Sequence, residues 1–186
     1  MKHGNVVPHF GEVDHAGIEA LFIEGRQHRA FLRLPFASRA GKTLCVIGQN
    51  PSAADKQNAD KTVRYLEELV FRNHREYSAI LVLNLYSRVD TNKSATHDLL
   101  HCLCLEYFDA ALREHDDFLL VYGKLRNEGA YKFRDRALHV SNALKDKSVF
   151  KLGLNTSYPP HPGNPKILYR NFSVQLIKHN FQEANR

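Results

Sequence analysis

Four apolar runs of this chain each end in residues that can hold a ligand. "LCVIGQNPS" carries Leu44 to Ile47 into Gly48, Gln49, Asn50, Pro51 and Ser52. "VLNLYSRVD" ends on Asn84, with Tyr86 just beyond, and "LVYGKLRNEG" ends on Tyr122 and Gly123. "LGLNTSYPPHPGNP" opens a long loop with Asn155, His161 and Asn164. An amide offers an acceptor and two donors on one flat group, and imidazole adds a donor whose proton can move. Each piece also has an ordinary reading. Asn-Pro favours turns, Gly123 lets the chain turn, and Asn84 could bond backbone at a strand end. The four ends meet only if the runs are parallel strands of one open sheet, where ligands bind beyond the carboxyl ends near the topological switch point.

The elements needed for that arrangement are legible. Residues 43–47, 79–85, 118–122 and 149–152 are rich in Val, Ile, Leu and Phe without clean alternation, as strands covered on both faces are. Helical spacing separates them: Val63, Leu66, Leu69 and Val70 behind a capping Asp60; Leu99, Leu100, Leu103 and Phe108 after Thr96; Ala130, Phe133, Ala137, Val140 and Leu144. Residues 167–181 also read as largely helical. Alternating strands and helices predict a parallel sheet with helices on both faces. Ahead of it, "GIEALFIEG" and "RAFLRLPF" read as an antiparallel hairpin bridged by Arg26 to His28.

Other chemistry is thinly supported. Glycine-rich phosphate loops of the GxxxxGK[ST] or GxGxxG kind are absent, and so is GxSxG. His97 and His101 stand four apart, but no third ligand and no H-E-x-x-H accompany them, so no metal and no cofactor are expected. Asp60 and Arg64 have the spacing of a helical ion pair. Cys45, Cys102 and Cys104 give no disulfide framework.

The chain has 186 residues, which favours one domain over 1–186 with residues 1–42 as an N-terminal hairpin extension. Apolar content of 43% and charged content of 25% are those of a globular protein. No apolar run nears the roughly 20 residues that span a bilayer, and the first residues lack an apolar signal core. A cytoplasmic protein without a membrane partner is the expectation. The formal charge of +6 favours polyanion partners.

Over residues 31–165 the chain resembles a family of bacterial and phage proteins with an Asn-Pro-Ser motif at the end of the first strand. The match is "NPSAADKQNADKTVRYL", with Asp60, Thr62 and Arg64 in that family's spacing, followed by "VLNLYS", "YGKLRNEG" and "LGLNTSYPPHP". This likeness implies no particular activity. More distantly, "GQNPS", "ILVLN", "LLVYG" and "HPGNPKILYRNF" resemble, in order, the signposts of the uracil-DNA glycosylase superfamily. That resemblance implies a three-layer α/β/α fold around a four-stranded parallel sheet.

It also implies N-glycosidic bond hydrolysis on DNA. Asn50 would position the attacking water, and His161 would donate to the departing base, a type of contact whose loss costs about 3–4 kcal/mol of barrier. Asn84 would read a flipped base by donor and acceptor together. Gly48, Gln49, Pro51, Ser52 and Gly123 would line the pocket. The segment after Pro51 is small and polar, which leaves Tyr86 or Tyr158 to supply a stacking ring. Ile167 or Leu168 would be the wedge that fills the base stack. Arg88, Lys93, Lys124, Arg126, Lys166 and Arg170 would meet phosphates. Two other readings use the same pocket: a nucleic-acid or nucleotide binding protein without catalysis, and an enzyme acting on a small metabolite.

Overall fold

The computed structural model describes residues 6–181, so residues 1–5 of the expected N-terminal extension lie outside it. In chain order the elements are β1 (Val6–Val7), β2 (Glu19–Ile23), β3 (His28–Pro35), β4 (Lys42–Gly48), β5 (Ala59–Asp60), α1 (Lys61–Asn73), β6 (Tyr77–Asn84), α2 (Cys102–Glu114), β7 (Asp117–Leu120), α3 (Phe133–Ala143), β8 (Ser148–Leu152), α4 (Pro165–Leu168) and β9 (Leu176–Lys178).

Strands β6, β4, β7 and β8 run parallel, in that spatial order. The sheet they belong to is mixed and seven-stranded, ordered β2-β3-β6-β4-β7-β8-β9, rather than the four-stranded parallel sheet expected. The hairpin is part of it. β3 pairs antiparallel with β6, Leu32 opposite Val82 and Leu34 opposite Ile80, and both leucines are fully buried. Nothing local to a hairpin says which further strand it will join, so this pairing escapes a reading along the chain.

Residues of β4 alternate between two cores. Leu44 and Val46 pack with Val63, Leu66 and Leu69 of α1. Cys45 and Ile47 pack with Phe108 of α2 and with Phe133, Ala137 and Val140 of α3. The sheet is therefore covered on both faces, and each buried Leu, Ile or Val contributes roughly 1.5–3 kcal/mol. The Cys45 thiol, pushed up to about 12 chiefly by burial, behaves as an apolar group. All three cysteines are free.

The expected final helix is corrected. α4 stops at Leu168, and Asn171 and Phe172 adopt left-handed φ values of 46° and 62°, which a helix does not accommodate. The chain then returns as β9, antiparallel to β8. α2 also starts later than its apolar spacing suggests. Asp98 is left-handed (φ 51°), and the His101 side chain accepts from Leu103 N to cap the helix at its true start. Among the described residues no helix is long and apolar enough to cross a membrane.

Candidate functional site at the carboxyl ends of the strands

β4 is the first parallel strand; the chain moves from it to β6 on one side and then across to β7 on the other. The switch point thus falls beside β4, and a cavity of about 460 Å³ opens there. Gly48 to Ser52 from the end of β4, Asn84 from β6, Gly123 and Lys124 after β7, and His161 all line it. So do Asp60 and Thr62 at the start of α1, Asp90 and Lys93 from the loop after β6, and Arg29 from β3.

The amide of Asn84 is set from two sides. A Cβ on Gly48 would stand 2.9 Å from Asn84 Nδ2, so glycine there lets the amide lie against the end of β4. Opposite, Arg29 Nη2 donates to Asn84 Oδ1 at 2.9 Å, while Nη1 donates to the Ala54 carbonyl at 3.1 Å. The Asn84 oxygen therefore already serves Arg29, which leaves the amide nitrogen as the free donor. Arg29 is only 3% exposed, and its Nε has no partner. Burial lowers its pKa to about 10, against the pull of Asp60 and Asp55, so it stays charged at neutral pH.

Asn50 lies among polar groups. Its Nδ2 donates to the Arg88 carbonyl at 3.5 Å, and the Tyr131 hydroxyl donates to Asp90 Oδ2 at 2.9 Å. Asn50 Oδ1 is enclosed with no partner. Asp90 also accepts from Ala95 N at 2.8 Å; burial pushes its carboxyl up, but these bonds outweigh it and hold the pKa below the usual value. Gln49 ties strand ends together, its Nε2 donating to the Tyr122 carbonyl at 2.7 Å.

His161 has a defined tautomer. Gly163 N donates to Nδ1 at 2.9 Å, so the neutral ring carries its proton on Nε2, which lies 3.5 Å from Thr62 Oγ1. The ring is reachable from outside yet hemmed in by the cavity walls. This desolvation lowers its pKa, with Asp60 opposing and Lys93 assisting, so it is neutral at neutral pH. Gly123, left-handed at φ 72°, brings the chain after β7 to within 3.3 Å of His161 Cβ, measured from where its own Cβ would be.

Of the other residues singled out from the sequence, Lys93 and Lys124 line the cavity and the rest lie outside it. Tyr86 is in the core under the site, edge-on to Tyr131 and Phe133, its hydroxyl accepting from Lys132 N at 2.9 Å. Arg88 pairs with Asp98 at 2.8 Å, and Lys93 with Glu128 at 3.1 Å. Lys124 stands exposed in the lining, while Arg126, Lys166 and Arg170 are exposed outside it. Tyr158 is also outside the lining. Ile167 is 1% exposed and cannot act as a wedge; Leu168 beside it is exposed. Arg64 pairs with Glu68 at 3.1 Å rather than with Asp60, whose Oδ1 caps α1 by accepting from Val63 N at 2.7 Å. His97 does not share a helical face with His101, because α2 begins after both.

Fold and site together define an α/β protein with a cavity at the carboxyl edge of its parallel strands. The chain belongs to the family described as "Protein of unknown function (DUF1643)", whose model matches residues 31–163. Asn50, Asn84 and His161 fall within the match; Arg29 lies just before it. No curated protein and no solved structure matches the chain.

Proposed function

We propose that this protein is a uracil-DNA-glycosylase-like hydrolase that takes a nucleobase of DNA into the cavity and cleaves its N-glycosidic bond. One observation carries the reading: Asn50, Asn84 and His161, far apart in sequence, line one cavity at the switch point. Its volume lies within the roughly 300–1,000 Å³ of small-molecule sites.

As the bond breaks, the sugar becomes electron-poor and the base electron-rich. The Nε2 proton of neutral His161 and the free amide nitrogen of Asn84 are both donors, suited to a base edge that carries a keto oxygen rather than an amino group. Asn50 Oδ1, enclosed and without a partner, would supply the acceptor that orients a water once its amide turns into the cavity. It is too weak a base to deprotonate that water, so the step depends on a leaving group well stabilised by His161. Asp60 and Asp90 in the lining add negative charge that favours a sugar turning cationic. Lys124 at the mouth meets phosphate, and exposed Leu168 and Tyr169 are the apolar groups that would fill the vacated stack.

A nucleotide-binding role without turnover is the second reading. It is favoured by the state of the carboxylates: Asp60 caps a helix and Asp90 is held by Tyr131 and Ala95. Labelled single- and double-stranded oligonucleotides bearing uracil, hypoxanthine, mismatched thymine or oxidised bases, read out by alkaline cleavage at abasic sites, separate the two. The hydrolase reading expects release that falls roughly 100–1,000-fold in His161→Ala and is lost in Asn50→Ala. No release by the folded protein, with saturable nucleotide binding, would replace it by the second reading.

A further inference from the structure

Outside the cavity, the turn between β2 and β3 meets the loop that leads into α2. Glu24, His28 and Asp98 converge there, with one ligand atom from each within 4.8 Å of the others. His28 Nε2 lies 2.9 Å from Asp98 Oδ2 and 3.7 Å from Glu24 Oε2. In a tetrahedral site with bonds of about 2.0 Å, ligand atoms stand about 3.3 Å apart, so these two separations bracket that of a metal's coordination shell.

Each of the three side chains also has an outer partner. His28, completely buried, has Nδ1 2.8 Å from Ser87 Oγ. Ser87 Oγ also accepts from His101 N at 2.9 Å. Where His28 donates from Nδ1 to Ser87, the Nε2 lone pair of the neutral ring faces two carboxylates. A metal ion placed among them would be ligated by that lone pair and by both carboxylates. A single proton on Nε2 bonds Asp98 alone, with Glu24 Oε2 3.7 Å from that nitrogen. A metal ion satisfies both. Glu24 Oε1 is oriented by His101 Nε2 at 3.6 Å, and Leu103 N donating to His101 Nδ1 keeps the His101 proton on Nε2. His101 is thus an outer group and not a ligand. Arg88 Nη1 holds Asp98 from outside at 2.8 Å. Such outer partners fix the orientation of metal ligands in known sites.

We propose that Glu24, His28 and Asp98 form a binding site for one divalent transition metal ion of the zinc or manganese type, open to solvent at its remaining positions. Mixed nitrogen and oxygen donors suit that class, whereas magnesium and calcium prefer oxygen alone. Glu24 and Asp98 are exposed, which gives the ion an entry path. The ion would fasten the hairpin turn to the loop that carries Asp90 and Lys93 into the cavity.

The test is zinc and manganese titration of the chelator-stripped full chain by calorimetry, with bound metal counted by mass spectrometry. Because His28 is buried and its replacement endangers folding, Glu24→Gln and Asp98→Asn carry the test, with circular dichroism melts confirming that both fold. One ion per chain is expected, with affinity at least tenfold weaker in each variant and unchanged in His97→Gln. Absence of saturable binding, or binding indifferent to Glu24→Gln and Asp98→Asn, would overturn the proposal. Preference for calcium or magnesium would overturn the assignment of metal class.

Discussion

The two ends of the parallel strands carry opposite kinds of surface. At the carboxyl ends, the 460 Å³ cavity encloses a single buried guanidinium, Arg29, bonded to neutral acceptors and faced by two carboxylates. At the amino ends of β4 and β6, an open groove of about 830 Å³ is lined by Arg39, Arg72 and Arg75 and by no carboxylate. Arg39 stacks on Phe71 at 3.8 Å; partial burial, and then the like charge of Arg75, lower its pKa. An exposed arginine costs little to keep and attracts any anion, in a way that salt screens. A buried one costs several kcal/mol to desolvate, so its hydrogen bonds have to be specific to be retained. A ligand at the first end would be selected by geometry, and an anion at the second chiefly by charge. A strand of seven or eight residues separates them by about 25 Å.

The largest effect is therefore expected from Arg29. Arg29→Met leaves Asn84 Oδ1 and the Ala54 carbonyl without a donor inside the protein. Unfolding by urea should show a loss of about 2–4 kcal/mol, from two unsatisfied acceptors partly offset by the apolar replacement. Ligand binding or base release should fall by about two orders of magnitude, because the Asn84 amide is then free to turn over. A variant of unchanged stability and binding would erase the distinction between the two ends.

Gly48→Ala tests the other side of the same amide. The new methyl would stand 2.9 Å from Asn84 Nδ2 and force the side chain away from β4. Overpacking of this size costs about 1–3 kcal/mol. Its signature should be a loss of site function that exceeds the loss of stability. Equal losses would mean that Gly48 serves only the backbone.

A smaller effect concerns the loop that carries Ala54, the acceptor for Arg29. His9 is buried, with Nδ1 against Glu67 Oε1 and Nε2 2.8 Å from the Asp55 carbonyl, so both nitrogens face acceptors. Burial pulls its pKa down, but the bond and charge of Glu67 and the Asp55 carbonyl outweigh this and raise it. A raised folded value means the stabilisation is complete below the unfolded pKa of about 6.5 and is lost as pH rises through the folded value. His161, shifted the other way, takes stability away as pH falls below about 6.5. Urea melts of wild type and Glu67→Gln across that range isolate the His9 part: the advantage of wild type should shrink as pH rises. A constant difference would show that His9 is not the titrating group.

How much of this was legible follows from where each signal sits. Four apolar runs mark the parallel strands because burial on both faces leaves no alternation to misread, and the residues after them are local to those runs. Convergence of Asn50, Asn84 and His161 on one cavity follows from topology alone. Arg29 has no such mark. Its partner Asn84 is 55 positions away, and only the pairing of β3 with β6 brings them together. Glu24 and Asp98 are hidden for the same reason, and the four-residue spacing of His97 and His101, set aside for want of a third ligand, is not a helical pair at all because α2 begins after both. At the C-terminal end, apolar spacing after Ile167 suggests a helix, but left-handed Asn171 and Phe172 turn the chain into a strand.

The smallest effect belongs to the amino end of the sheet. Arg75→Ala removes one cation from a groove some 25 Å from the cavity, and the two sites share no lining residue. If the groove attracts nucleic acid by charge, the slope of log affinity against log salt should fall in magnitude by about one, equally for all sequences. A small ligand that fits the cavity should bind as before. A change in base preference on Arg75→Ala would mean that the two ends are coupled, and discrimination could then no longer be assigned to the carboxyl end alone. An unchanged salt slope would show instead that the groove does not meet the polyanion, leaving Lys124 and the exposed basic residues beyond His161 as its points of contact.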